Sequence, residues 1–255
     1  MPLNKGDFIL IDFVAKVKDT GEIFDLTIEE VAKKEKLYRE DEIYEPMLVV
    51  LGEGWILDGL EEELMKMNPG EQKVVELPPE KAFGARDPSK VKIVPARELS
   101  RRGITPRPGI RVEIEGNYAI VRSVGGGRVV LDFNHPLAGK TLVYDVKIVK
   151  KLESDKEKIL ALIHRRIPRV PIEKFDVKIK GGVVTIELPE EAYFLEGLQF
   201  AKRGIARDIE KFFSSVTSVK FVEKYTFKRE GEKPAKATTS RRKSKKSAEE
   251  QPSKA

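Results

Sequence analysis

Apolar and polar positions alternate through residues 7–18, where Phe8, Leu10 and Val14 interleave with Asp12 and Lys16. That period of two belongs to a half-buried strand. Lys18-Asp19-Thr20-Gly21 supplies turn residues and 22–26 extends again, so a β-hairpin is predicted at the start of the chain. Residues 27–40 follow Thr27 with Glu30 three places on, the spacing of a capping box, and predict a short exposed helix. After Pro46, the run MLVVLGEG predicts a buried strand closed by glycines. Residues 55–67 then place Ile56, Leu57, Leu60, Leu64 and Met67 at helical spacing before Asn68-Pro69-Gly70, which predicts one amphipathic helix packed on a sheet. Residues 71–77 alternate as a strand that Pro78-Pro79 stops.

From Gly84 the texture changes. Pro88, Pro95, Pro106 and Pro108 punctuate short apolar runs, and 111–114, 118–124 and 128–133 predict a meander turned at Gly116-Asn117 and Gly125-Gly126-Gly127. The run TLVYDVKIVKKLE alternates again and predicts the last strand of the first domain. Beyond Ser154-Asp155 a helix is predicted over 156–166, a hairpin over 175–180 and 183–188, a long helix over 190–213 and a strand over 219–227. In that long helix Phe194, Leu198, Ala201, Ile205, Ile209 and Phe212 mark one face. Gly197 and Gly204 each cost it about 1 kcal/mol against Ala, which points to close packing. The second domain is therefore read as α-β-β-α-β. From Arg229 onward there is neither aromatic residue nor periodicity, the composition of a disordered tail.

The 255 residues carry a net charge of +6, but the last 27 alone contribute nine basic and four acidic side chains. What precedes them is nearly balanced, so the basic character belongs to an appendage and does not argue for a nucleic-acid-binding globular domain. Cysteine is absent, which excludes disulfides, thiolate nucleophiles and Cys-ligated zinc. The two histidines, His135 and His164, lie 29 positions apart and match no metal-ligand spacing. No metal and no cofactor are expected. The N-terminal run reads as a strand and not a signal peptide, and no apolar stretch approaches the roughly 20 residues of a membrane span. A cytoplasmic protein with no membrane partner is expected. Charged residues at 35%, with four Asn and three Gln, lean toward a thermophile's composition.

Familiar catalytic motifs fail on their context. Gly139-Lys140-Thr141 precedes a strand and lacks the glycine of a phosphate-binding loop at Asn134, and Gly52-Glu53-Gly54 meets Leu57 where a dinucleotide fingerprint needs its third glycine. No elbow motif supports a Ser/His/Asp triad. Taken singly, large apolar residues are core more often than pocket, and Asp25 alone reads as a turn or cap. The concentration of such residues near strand ends and a helix start is what stands out: Phe24 with Asp25, Met47, Trp55 with Ile56, Leu57 and Leu60, Phe83, and Tyr144.

The order of the blocks carries a resemblance. Asp19-Thr20-Gly21-Glu22-Ile23-Phe24-Asp25, the run from Val50 through Gly52-Glu53-Gly54-Trp55-Ile56-Leu57-Asp58-Gly59-Leu60 to Glu62, Met67-Asn68-Pro69-Gly70-Glu71, Ala82-Phe83-Gly84 and Leu142-Val143-Tyr144-Asp145-Val146 resemble the FK506-binding-protein family of peptidyl-prolyl cis/trans isomerases. The segment 85–131, ahead of Phe133-Asn134-His135-Pro136-Leu137-Ala138-Gly139, resembles the insert-in-flap chaperone domain of the SlyD-like members, and the whole resembles the long archaeal type. The resemblance implies an α+β fold. A curved antiparallel sheet wraps one helix over 1–84 and 132–152, with an inserted β-rich domain at 85–131, an α/β domain at 153–228 and a basic tail at 229–255.

It also implies roles. Phe24 and Tyr144 line a proline pocket, Asp25 is its single polar group, Ile56 and Leu57 present apolar wall and a backbone N–H, and Phe83 is counted with them among the catalytic residues. Phe13, Met47, Leu60, His135 and Leu137 contact substrate. Leu60 falls where many members have a Trp floor, and Phe13 and Phe83 fall where the best-known members have tyrosines, so weaker catalysis and weak macrolide binding are expected. The chemistry suits the inventory. Rotation about an X-Pro bond faces a barrier of about 18 to 20 kcal/mol from amide resonance. A site that removes water from the amide and holds its flanking carbonyl binds the twisted state in preference to either planar one. Unfolded or nascent chains are the expected partners. A non-catalytic holdase or assembly factor, docked on ribosome or RNA through the second domain and the tail with its Arg241-Arg242-Lys243-Ser244-Lys245-Lys246, is the alternative, and an isologous dimer through the second domain stays open.

Overall fold

The first unit of the chain runs β1 (Phe8–Val17), β2 (Ile23–Leu26), α1 (Glu29–Lys34), β3 (Met47–Val50), α2 (Asp58–Leu64) and β4 (Gln72–Leu77), and closes much later with β9 (Leu142–Leu152). This is a computed structural model, and it describes residues 3–227. The basic tail read at 229–255 lies outside the described residues. The long strand β1 is the spine of the first sheet. One of its edges pairs antiparallel with β9 along its whole length, and β4 continues the sheet beyond β9. Its other edge is shared end to end, by β3 opposite Phe8–Ile11 and by β2 opposite Val14–Lys16.

Alternation along β1 gives the sheet two buried faces. Ile9, Ile11, Phe13, Ala15 and Val17 join Val49, Leu51, Tyr144, Val146 and Ile148 under α2, whose Leu60 and Leu64 are fully buried with Met67 just beyond. The opposite face presents Phe8, Leu48, Val50 and Leu152 to a second core. That core belongs to the C-terminal unit: α4 (Asp155–Arg166), β10 (Asp176–Lys180), β11 (Val183–Leu188), α5 (Leu198–Phe212) and β12 (Ser218–Glu223). Phe8 meets Phe212 edge to face at 5.2 Å between centroids, and Trp55 meets the same ring at 6.1 Å. In this unit β10 and β11 pair antiparallel and β11 and β12 parallel.

Between β4 and β9 lie β5 (Val91–Pro95), α3 (Ala96–Arg101), β6 (Arg111–Ile114), β7 (Asn117–Gly125) and β8 (Arg128–Asp132), in a sheet of order β5-β8-β7-β6. It has its own small core of Leu99, Val112, Ala119, Val121, Val129 and Leu131. The molecule is α+β, with several antiparallel pairings and few helices.

Four expectations are corrected. The helix over 27–40 is only α1, and Thr27 does not cap it: its hydroxyl accepts from the Phe13 N–H at 2.9 Å and donates to Asp12 Oδ1 at 2.9 Å, filling the gap on β1 between β3 and β2. The helix over 55–67 begins at Asp58, so Trp55 and Ile56 stand in the connection that precedes it. The helix over 190–213 is broken. Gly197 has φ +77°, a left-handed conformation that only glycine adopts at little cost, so α5 starts at Leu198 and Phe194 stays in the preceding turn, 89% exposed. The last strand ends at Glu223. The alternating Val91–Pro95 and the helical turn after it are additions, since Pro95 reads as punctuation yet occupies the end of a strand.

Candidate active site

Strand register assembles the site. Asp25 and Tyr144 both pair with Ala15 on opposite edges of β1, so a small residue separates two candidate side chains. Between Ala15 and Lys16 the β1–β2 register shifts, and Phe24 falls at that bulge. A bulge lets neighbouring residues turn toward one face. Phe24 accordingly meets the Tyr144 ring edge to face at 6.0 Å, while the Asp25 charge also acts on the Tyr144 phenol. Phe13 reaches Tyr144 from the other side at 5.7 Å. Leu60, at the start of α2, is 1% exposed beneath them, and Phe24, Met47, Ile56, Leu57, Phe83 and Leu137 are half-buried against the same core.

The rim is a contact of two loops. Phe83 and His135 stack at 4.1 Å with ring planes 8° apart. His135 Nδ1 accepts from the Leu137 N–H at 3.2 Å, which leaves Nε2 to carry the proton of the neutral ring. Gly139 donates its N–H to the Gly84 carbonyl and has φ +75°; a side chain there would crowd Arg86 Cβ at 3.1 Å. These contacts bring together all eleven residues that the sequence singles out: Phe13, Phe24, Asp25, Met47, Ile56, Leu57, Leu60, Phe83, His135, Leu137 and Tyr144. Trp55 is the exception among the apolar residues noted nearby, since it packs on Phe212 and under the Arg165 guanidinium, 3.8 Å from the ring centre.

Few polar groups are present, and burial shapes those that are. Burial pushes the Asp25 carboxyl up, opposed by a hydrogen bond from its neighbour Leu26's N–H and helped by the charge of Glu42. Burial, with the charge of Asp25, pushes the Tyr144 phenol up to about 12. The Tyr144 hydroxyl makes no hydrogen bond with any group among the described residues, and neither the Ile56 nor the Leu57 backbone N–H has an acceptor there. Apolar side chains around one carboxyl and uncommitted donors are the groups that can remove water from an amide and hold a carbonyl. Among the described residues no group of His, Asp and Glu could hold a metal ion, and no helix is long and apolar enough to cross a membrane.

Sequence reasoning missed the residues that hold these parts in place. Thr27 fixes the backbone of Phe13 from both sides, because its own N–H also donates to the Phe13 carbonyl. Glu61 is 8% exposed and accepts from the Gly52 N–H at 2.9 Å, which sets the connection into α2. Asp132, 1% exposed, takes Arg86, Arg122, the Asn134 N–H and the Asn134 amide. Asn134 in turn bonds both the N–H and the carbonyl of Asp87. This network clasps the two strands of chain that leave and re-enter the flap. Its one sequence signal was the pair of polar residues flanking Phe133 after an apolar run.

Residues 92–137 match the family described as "FKBP26, IF domain" and residues 155–226 the one described as "FKBP26_C-terminal". The chain is 36% identical over 155 residues to a short-type peptidyl-prolyl cis-trans isomerase of Methanocaldococcus jannaschii, covering 60% of this chain and 98% of that protein. It is 33% identical over 125 residues to the FKBP-type peptidyl-prolyl cis-trans isomerase SlyD of Helicobacter pylori, covering 47% of this chain and 66% of that one. It is 30% identical over 110 residues to the FKBP-type 16 kDa peptidyl-prolyl cis-trans isomerase of Escherichia coli, covering 41% and 73%. With near-complete coverage of the archaeal relative and a matched insert in the flap, the chain belongs to the FKBP-type peptidyl-prolyl cis/trans isomerase family.

Proposed function

We propose that the chain catalyses cis/trans isomerisation of X-Pro bonds in unfolded or nascent polypeptides and that its insert holds those clients as a chaperone. The observation that carries this reading is the convergence of Phe13, Phe24 and Tyr144 over Leu60 with a single carboxyl, Asp25, beside them. The prolyl ring enters between Phe24, Tyr144 and Ile56. Removal of water disfavours the charge-separated planar amide, and the N–H groups of Ile56 and Leu57 take a flanking carbonyl. Tyr144 replaces the hydroxyls that Phe13 and Phe83 lack. Its phenol stays protonated through the neutral range and donates to the twisted carbonyl.

The isomerase unit is assigned to 1–84 and 132–152, the chaperone unit to 85–131 and the C-terminal unit to 153–228. In this reading the insert offers the unpaired edge of β6 to extended chains and raises the local concentration of prolyl bonds at the pocket. The test is an exchange assay on a proline-containing tetrapeptide with the full chain, together with refolding of a protein limited by a prolyl step. Acceleration of both is expected. Suppressed aggregation without acceleration of either would replace the enzyme with a holdase.

A further inference from the structure

A groove of about 960 Å³ leaves the candidate site between the first sheet and the C-terminal unit. Phe13, Asp25 and Met47 line it at the end nearest the pocket, and Leu160, His164 and Ile172 line it from α4 and the turn that follows. We propose that this groove is an extended subsite for the client chain flanking the prolyl bond, so that the C-terminal unit is part of the substrate-binding surface. The inference rests on the isomerase reading.

Three observations support it. The first is continuity, since three of the eleven candidate residues, Phe13, Asp25 and Met47, also line the groove. The second is fixity. The wall formed by α4 is docked on the first sheet by a shared core and by the Phe8–Phe212 and Trp55–Phe212 ring contacts, and Glu45 Oε1 accepts across the junction from His164 Nε2 at 2.6 Å. A groove held open in this way needs no ordering when a chain binds. The third is chemistry. Leu10, Leu48, Leu152 and Leu160 make an apolar floor, while Asp25, Asp41 and Glu173 on the rims have no ion-pair partner among the described residues. Arg169 is the one cation on the rim equally unpaired there, since Lys150 is tied to Glu157 and Arg165 lies over Trp55. Such a surface fits an extended segment in which apolar residues alternate with Lys or Arg.

The experiment uses the full chain and two substrates: a prolyl tetrapeptide, and the same tetrapeptide extended by alternating Leu and Lys, with a photoreactive side chain in the extension. The expected ratio of kcat/KM, extended over short, is about tenfold, equivalent to about 1.4 kcal/mol. Ile172→Asp should reduce the ratio severalfold, and the surface change Glu173→Lys should reduce it without any question of folding. Crosslinks should map to residues 157–173. Equal kcat/KM for the two substrates, or crosslinks confined to 91–132, would overturn the groove and leave the isomerase reading standing. No acceleration of the tetrapeptide would overturn the isomerase reading itself, and the groove as a subsite with it.

Discussion

Replacing Tyr144 with Phe removes one hydroxyl and nothing else from the candidate site. The ring keeps its edge-to-face contact with Phe24 and its tilted contact with Phe13, so the apolar walls and their drying effect persist. In the free protein the hydroxyl has no partner among the described residues, so Tyr144→Phe leaves no buried group orphaned. Stability should therefore change by less than about 0.5 kcal/mol in urea denaturation, in either direction. Catalysis should respond differently. A neutral hydrogen bond made to the carbonyl in the twisted state is worth about 1 to 1.5 kcal/mol, so kcat/KM for the tetrapeptide should fall by about five- to twelvefold. Because the phenol is pushed up to about 12, the rate of the unaltered chain should be flat from pH 6 to 9, as no proton leaves Tyr144 in that range. Proton exchange spectroscopy on the tetrapeptide measures both quantities. Unchanged kcat/KM in Tyr144→Phe would refute the donor role. A stability loss above about 1 kcal/mol would show that the hydroxyl is tied within the fold after all.

Other substitutions test how the site is held. Asp132→Ala should destabilise the chain by about 3 kcal/mol, because four hydrogen bonds, two of them from arginines, lose their acceptor, and thermal or urea unfolding measures it. The Asp132 carboxyl sits at about 2, held down by Asn134 and the two arginines against the effect of its burial. Its contribution is therefore complete above about pH 4 and is lost as the pH falls toward about 2, so the gap between the unaltered chain and Asp132→Asn should narrow over that interval. Asp25 has the opposite sign. Burial raises its carboxyl, so ionisation opposes folding above the unfolded-state value, and Asp25→Asn should raise stability at neutral pH with the gain vanishing in acid. Gly59→Ala should cost about 1 to 3 kcal/mol by overpacking, since its new methyl would lie 2.8 Å from both the Cβ and the carbonyl oxygen of Lys81; calorimetry reads the lowered Tm.

The strands of the first sheet were legible because one face of each must be apolar toward α2: along β1 that face is Ile9, Ile11, Phe13, Ala15 and Val17, while the polar positions Asp12 and Lys16 fall on the other face with Phe8 and Leu10. The eleven candidate site residues were legible only through the order of their blocks, since Leu60 or Phe24 alone looks like any core residue. Where reasoning from the sequence failed, a tertiary partner overrode a local pattern. Thr27 has the spacing of a cap, yet the gap between β2 and β3 beside Phe13 claims its hydroxyl. The apolar positions around Phe194 continue the period of α5, yet Gly197 turns the chain before the helix starts. Asp132 joins Arg86, 46 residues away, and no window of sequence contains both.

The double use of the first sheet bears on how the protein comes apart. With α2 against one face and Phe212 and Phe213 reaching Phe8 across the other, neither the isomerase unit nor the C-terminal unit can lose its structure alone without wetting a core that both complete. The insert shares no such core. Amide hydrogen exchange should therefore divide the chain unevenly: the slowest amides of β1, β9 and α4 should exchange together, through one global opening, while those of β7 and β8 exchange through a smaller and cheaper one. The part of the molecule that opens most readily would then be the part to which the proposed chaperone role is assigned, and it could open and close while the first sheet stays folded.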